Sequence, residues 1–138
     1  MLSVLRRFFK ANFALVLLAP LRVMAGVEQL DKIDAIATKP DSPYVVLLVA
    51  SDRPWSDETT DLLSKKLAHY KYFVTSGQLT SQRPQAQGKK VRIILIYQTP
   101  PQSDHLTRLV QLKTELESSD LQFSWGVKSD LPTLAGAP

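Results

Sequence analysis

Residues 44–50 read Tyr-Val-Val-Leu-Leu-Val-Ala and are apolar at every position. A strand with one face in water alternates apolar and polar residues, so this strand must be covered on both faces, as central strands are. Residues 90–97, Lys-Val-Arg-Ile-Ile-Leu-Ile-Tyr, form a second such segment. One of its faces carries Val91, Ile93, Leu95 and Tyr97, and the other carries Ile94 and Ile96. The two segments predict the centre of a sheet.

Two further strands are predicted beside this centre. Residues 30–37 alternate loosely between apolar and polar side chains. The turn formers Pro, Asp and Ser at residues 39–43 join them to residues 44–50 as a hairpin. Residues 121–125, Leu-Gln-Phe-Ser-Trp, alternate cleanly and predict the last strand.

Two helices are predicted between the strands. Ser56 caps the first helix, Gly77 ends it, and Ser103-Asp104 begins the second. The polar stretch from Ser76 to Gly88 is predicted as a loop, either a functional surface loop or a harmless insertion. The predicted buried positions are Leu63, Leu67, Tyr70 and Val74, widened by Leu62 and Phe73, in the first helix, and Leu106, Leu109, Val110, Leu112 and Leu116 in the second.

The order of elements is therefore β-β-α-β-α-β, which predicts an α+β fold. We expect a four-stranded mixed sheet with the two helices packed mainly on one face. The second face then needs a cover, because the central segments are apolar on both sides. Ile94 and Ile96 are accordingly predicted to form an interface with a second copy of the chain or with another protein.

Residues 1–26 are predicted to be a leader outside the domain. Three positive charges precede an apolar run at residues 13–21, and small residues follow, as in a secretory signal. The run is too short to be an integral membrane segment. Arg22 interrupts the approach to the cleavage point, and Met24 reads equally well as the true start. Two alternatives remain: an exported protein cleaved near Ala25, and a cytoplasmic protein that starts at Met24.

The domain itself is predicted at residues 27–126, with a flexible tail at residues 127–138. Its charge argues against nucleic-acid binding. The whole chain has a formal net charge of +4, but four of its 17 basic residues lie in residues 1–23, where there is no acidic residue. The other 13 basic residues balance the 13 acidic ones. A phosphate-binding surface needs clustered excess positive charge, which this domain lacks.

The supply of reactive side chains is small. The chain has no Cys and two His, so disulfides and thiolate chemistry are excluded. His69 and His105 are interpreted as solvated surface residues, and Asp31 and Asp34 point to opposite faces of their strand. We therefore predict no catalytic residue, no metal site and no cofactor.

The best candidate for a binding site follows the strand at residues 44–50. Ser51, Asp52, Arg53 and Trp55 lie where α/β sheets often bind ligands, at the carboxyl end of a strand. Arg53 could hold a carboxylate or phosphate through two hydrogen bonds. In the simpler interpretation, Asp52 and Ser56 cap the helix, and Trp55 packs at the sheet edge with its N–H in one hydrogen bond.

Several segments resemble a small bacterial single-domain family of unknown function. They are residues 27–36 (Val-Glu-Gln-Leu-Asp-Lys-Ile-Asp-Ala-Ile), Ser51-Asp52, Trp55, residues 76–79 (Ser-Gly-Gln-Leu) and residues 88–91 (Gly-Lys-Lys-Val). The resemblance spans about residues 27–126. It implies a chain that begins near Val27, which favours the Met24 start. It implies no activity, and no functional residue follows from it.

Two functions remain open. The first is a non-enzymatic protein-interaction module, which the shortage of converging titratable groups favours. The alternative is a small ligand-binding protein or enzyme whose site is formed by Ser51, Asp52, Arg53 and Trp55. A pocket there, with Asp52 buried and paired to Arg53, would favour the alternative.

Overall fold

The computed structural model describes residues 33–136. The predicted leader at residues 1–26, the beginning of the domain at residues 27–32 and the last two residues of the tail lie outside the described residues. The first strand is shorter than expected within the described part, because Ile33 and Asp34 precede it rather than belong to it.

The described chain forms a four-stranded mixed sheet. Its strands are β1 (Ala35–Thr38), β2 (Tyr44–Ser51), β3 (Lys90–Tyr97) and β4 (Leu121–Val127), and they lie side by side in that order. β1 pairs antiparallel with β2, whereas β2 with β3 and β3 with β4 are parallel. The predicted α+β fold with a mixed sheet is confirmed, and the two apolar segments are its central strands.

The two long helices pack on one face of this sheet. α1 (Asp57–Thr75) follows β2, and α3 (Ser103–Glu117) follows β3. Their buried side chains share one core with the odd-numbered residues of β2, β3 and β4, as the alternation of a strand requires. The strand residues of this core are Val45, Leu47, Val49, Val91, Ile93, Leu95, Leu121 and Phe123.

α1 begins and ends where the sequence predicts. The Ser56 hydroxyl accepts a hydrogen bond from the Thr59 N–H at 3.1 Å, which satisfies one free donor of the first turn. Gly77 follows the helix with φ of 90°, in the left-handed region that favours glycine. The predicted stripe is confirmed at Leu63, Leu67 and Tyr70, which are buried.

α3 differs from its prediction at two positions. Leu109, Leu112 and Leu116 are buried as expected. Leu106 and Val110 were expected to be buried, which is wrong: they are 40% and 49% exposed. The apolar residues of α3 span a wider arc than the sheet can cover, and His105 occupies the buried position of the first turn. Two apolar side chains are left in water on one flank of the helix.

The stretch from Ser76 to Gly88 contains regular structure rather than a plain loop. It forms α2 (Gln78–Gln82) and a 3-10 turn at Pro84–Ala86. Leu79 and Ala86 are buried in the main core and anchor the two pieces. Two isolated apolar residues in a polar stretch carry no periodicity, so the sequence pattern did not predict these helices.

The tail that was expected to be loose also contains regular structure in its described part. β4 runs to Val127, a 3-10 turn follows at Lys128–Asp130, and α4 spans Leu131–Gly136. Leu131 is buried on the second face of the sheet, where Leu134 and Ala135 also pack. The second-face cluster contains Ala37, Val46, Leu48, Ile94, Ile96 and Leu131.

This packing changes what Ile94 and Ile96 can do. Both lie on the second face, as the alternation predicts, and both belong to the cluster that includes α4 residues. Ile94 has no exposed surface and Ile96 is 8% exposed. The pair predicted as an interface therefore offers a second chain almost no surface in this arrangement.

Candidate functional site

Trp55 joins two loops at the carboxyl end of the sheet. Its indole N–H donates to the Thr99 carbonyl at 2.7 Å. Its ring meets Tyr97 edge-on at 5.8 Å between centroids and stacks on His105 at 6.0 Å. The predicted packing of Trp55 with one N–H hydrogen bond is confirmed. The indole thus ties the loop after β2 to the loop after β3.

His105 is not the solvated surface residue that was predicted. It is 8% exposed and lies in the first turn of α3. Its ring covers the Trp55 indole, so packing accounts for its burial. His105 lies four residues before Leu109, on the same face of the helix. Counting the imidazole ring as apolar surface would have predicted that His105 belongs to the buried stripe of α3.

The other three predicted site residues do not converge on a ligand position. Ser51 ends β2 beside Tyr97 and is 7% exposed. Asp52 is exposed. Arg53 approaches the exposed carboxylate of Glu58 at 3.8 Å instead of Asp52. The four residues are neighbours in sequence, but Arg53 and Trp55 have different contact partners.

A buried ion pair lies on the helix side of the sheet, close to this end of β2. Lys66 Nζ is 2.7 Å from Asp34 Oδ1, and both side chains are completely buried. Asp34 Oδ2 accepts a hydrogen bond from the Ala50 N–H at 2.7 Å. The pair therefore ties α1, the residue before β1 and the end of β2 together.

The Tyr70 hydroxyl completes this cluster. It donates to the Leu48 carbonyl at 2.6 Å and accepts from the Asp34 N–H at 2.9 Å. Burial raises the pKa of this phenol well above 10, and the negative charge of Asp34 raises it further. Without access to solvent, the cluster is suited to hold α1 on the sheet rather than to meet a substrate.

The roles of Lys66 and of the Tyr70 hydroxyl were not predicted from the sequence. A signal was present, because Lys66 lies three residues after Leu63 and four before Tyr70, on the buried stripe of α1. A lysine at such a position needs a buried carboxylate partner. Asp34 could not be identified as that partner from strand alternation alone.

A cleft of about 1000 Å³ lies at the amino ends of β3 and β4. Three of the cations that line it have partners: Lys113 pairs with Glu117, Lys89 Nζ donates to the Lys39 and Ser42 carbonyls, and Arg92 makes several contacts. Arg92 lies over the Tyr44 ring at 3.8 Å and donates to the Gln122 side chain at 2.9 Å. It also donates to the Leu134 and Ala135 carbonyls of α4. The guanidinium therefore holds α4 against the sheet.

β4 presents an open backbone edge, since in the described chain it pairs with β3 on one side only. The Phe123 carbonyl accepts from Lys113 Nζ at 3.4 Å, and the Val127 N–H donates to Asp130 Oδ2 at 3.1 Å. Both groups therefore point away from β3. Backbone groups alternate in direction along a strand, so the N–H and C=O of Trp125 point the same way. Within residues 33–136, neither has a partner outside the sheet.

The exposed flank of α3 runs beside this edge. Arg108 reaches the Ser64 hydroxyl of α1 at 3.1 Å, whereas Lys113 reaches β4. Leu106 and Val110 lie on the Lys113 side of the helix, at spacings of seven and three residues from it. We call this surface the open edge: the outer backbone of β4 and the side chains of Leu106, Val110 and the partly exposed Trp125.

The described residues contain neither a metal site nor a membrane-spanning helix. Between Ile33 and Gly136, no three His, Asp or Glu residues gather in a way that could hold a metal ion. The same stretch has no helix with the length and apolar character needed to cross a membrane. Residues 33–136 offer three surfaces as candidates for function: the loops joined by Trp55, the cleft and the open edge.

These features define a class, a small α+β domain built on one mixed sheet. Residues 25–129 match the model of a family of unknown function, DUF6572, and the chain belongs to that family. The resemblance to a small family of unknown function is thus confirmed, while a bacterial origin stays a prediction. No curated protein and no solved structure matches the chain.

Proposed function

We propose that the protein is a non-enzymatic interaction module that binds another protein chain through the open edge. One observation carries this proposal: in the described chain, a strand edge without a neighbouring strand lies next to apolar side chains that are exposed to water. An unpaired strand edge can accept a further strand. Leu106 and Val110, 40% and 49% exposed, offer apolar surface right beside it.

The competing function, a ligand site at the end of β2, has less support. Asp52 is exposed and Arg53 approaches Glu58, so the charged pair that such a site requires is not formed. Trp55 and His105 stack on each other, so one face of the indole is already occupied. The buried Asp34–Lys66 pair is closed to solvent.

The proposal is tested by affinity capture from the native cell with three forms of the tagged chain. Val110→Glu puts a charge on the open edge, and Tyr72→Glu is the matched control, because Tyr72 is 60% exposed on α1. We expect partners to be captured by the parent chain and by Tyr72→Glu, and to be lost with Val110→Glu. An identical captured set from all three forms would contradict the proposal.

A further inference from the structure

We propose that the open edge binds a second copy of this chain, so that two β4 strands pair antiparallel about a twofold axis at Trp125. This inference rests on the proposed function and names the partner. It differs from the interface predicted at Ile94 and Ile96, since those two side chains are buried.

Trp125 is suited to lie on the axis. In an antiparallel pair, two residues that face each other can exchange both of their N–H···O bonds. The N–H and C=O of Trp125 both point outward, and neither is engaged outside the sheet within the described residues. Two of the neighbouring outward groups, the Phe123 carbonyl and the Val127 N–H, already have side-chain partners.

The flank of α3 reaches the same level along the edge. Lys113 contacts Phe123, and α3 runs back along β4 toward its own amino end. Trp125 is two residues further, about 6.6 Å at the rise of a strand, which equals about four residues of helix. Counting four residues back along α3 from Lys113 gives about residue 109, so the part of α3 between Leu106 and Val110 lies level with Trp125. A twofold axis at Trp125 therefore brings these apolar side chains of both copies together.

A second copy fits this surface better than an extended peptide does. A peptide strand would satisfy the backbone of β4 but would bring no helix to cover Leu106 and Val110. A second copy supplies a strand and a helix flank at the same spacing. The charges also permit it, because Lys113 and Glu117 neutralise each other on that flank.

The proposed contact joins two copies of the chain and no more. Each chain uses the same surface, so the assembly is a dimer rather than a filament. Pairing of β4 with the outer edge of β1 would be head-to-tail, and it would add copies until a ring closes or, if none closes, without limit.

Sedimentation equilibrium of the purified full chain tests the association. We expect a dimer at about 100 μM, and Val110→Glu should raise the dimer dissociation constant about 100-fold or more, while Tyr72→Glu leaves it unchanged. A parent chain that stays monomeric at this concentration overturns the inference, and so does growth beyond two copies.

Cross-linking tests the arrangement, because the chain has no cysteine of its own. Val110→Cys should give a covalent dimer with a short bismaleimide, and Tyr72→Cys should not. Equal cross-linking of the two variants contradicts the twofold contact. If the purified chain is monomeric while Val110→Glu still abolishes capture of a different protein, this inference fails and the proposed function stands.

Discussion

At the scale of single residues, the Asp34–Lys66 pair and the Tyr70 hydroxyl determine how α1 is attached to the sheet. Lys66 pairs with Asp34, the Asp34 carboxylate accepts a hydrogen bond from the Ala50 N–H, and the Tyr70 hydroxyl donates one to the Leu48 carbonyl. Buried polar atoms that lose a partner keep their desolvation cost and gain nothing in return. Substitutions that remove one member should therefore destabilise the protein more than their size suggests.

Tyr70→Phe tests the hydroxyl. The variant keeps the ring but leaves the Leu48 carbonyl and the Asp34 N–H without this partner, so we expect a loss of about 1–3 kcal/mol of unfolding free energy at neutral pH. Urea unfolding followed by circular dichroism measures it.

Comparing the parent chain with Tyr70→Phe at different pH values tests the raised pKa of this phenol. The folded chain holds the Tyr70 proton more tightly than an unfolded chain, whose tyrosine pKa is near 10. The contribution of this phenol is therefore intact below pH 10 and falls as the pH rises further. The stability difference between the parent chain and Tyr70→Phe should narrow above pH 10. A difference that stays constant up to about pH 11 would contradict the raised pKa.

Lys66→Met tests the ion pair. It removes the cation and leaves the Asp34 carboxylate buried, which costs about 3–5 kcal/mol in comparable pairs. The control is the double variant Asp34→Leu with Lys66→Met, which removes both charges and should recover part of the loss. The urea unfolding midpoints of the parent chain, the single variant and the double variant measure these changes in stability. A single variant as stable as the parent would mean that the pair contributes nothing.

At the scale of elements, α4 depends on a glycine in β4. A Cβ on Gly126 would lie 2.8 Å from Asp130 Oδ2 and 3.1 Å from Leu134 Cδ1. Both neighbours belong to the segment that folds back over the second face. The absence of a side chain at residue 126 thus lets this segment approach the sheet.

Gly126→Ala is expected to destabilise the chain by about 1–3 kcal/mol, the usual effect of overpacking. Faster amide exchange in α4 should accompany the loss, because the added methyl displaces Leu134. Gly136→Ala serves as the control, since a Cβ there meets nothing within 4 Å. Equal stability and equal exchange in the two variants would show that the close contact is unimportant.

Long elements could be predicted from the sequence and short ones could not. β2, β3, α1 and α3 each run for eight residues or more, so the period of their apolar residues is visible. α2 and α4 have five and six residues, fewer than two full turns. Each is held by a few contacts with distant residues, such as Leu131 on the second face, and sequence periodicity does not contain that information.

At the scale of the whole molecule, the candidate surfaces were the hardest to predict. The position of Trp55 and its single N–H bond followed from its place after β2. The open edge did not, because it depends on which strand lies at the border of the sheet. Strand order is a property of the assembled fold, and the exposure of Leu106 and Val110 follows from it.

The strands also lie in space in the order in which the ribosome makes them. Each new strand joins the one synthesised just before it, so the described sheet can be built by successive additions without waiting for distant parts of the chain. While residues 98–120 emerge from the ribosome, β3 is the growing border, and its apolar residues lack the cover that α3 and β4 later provide. A pause in that interval would leave the nascent chain most vulnerable to aggregation.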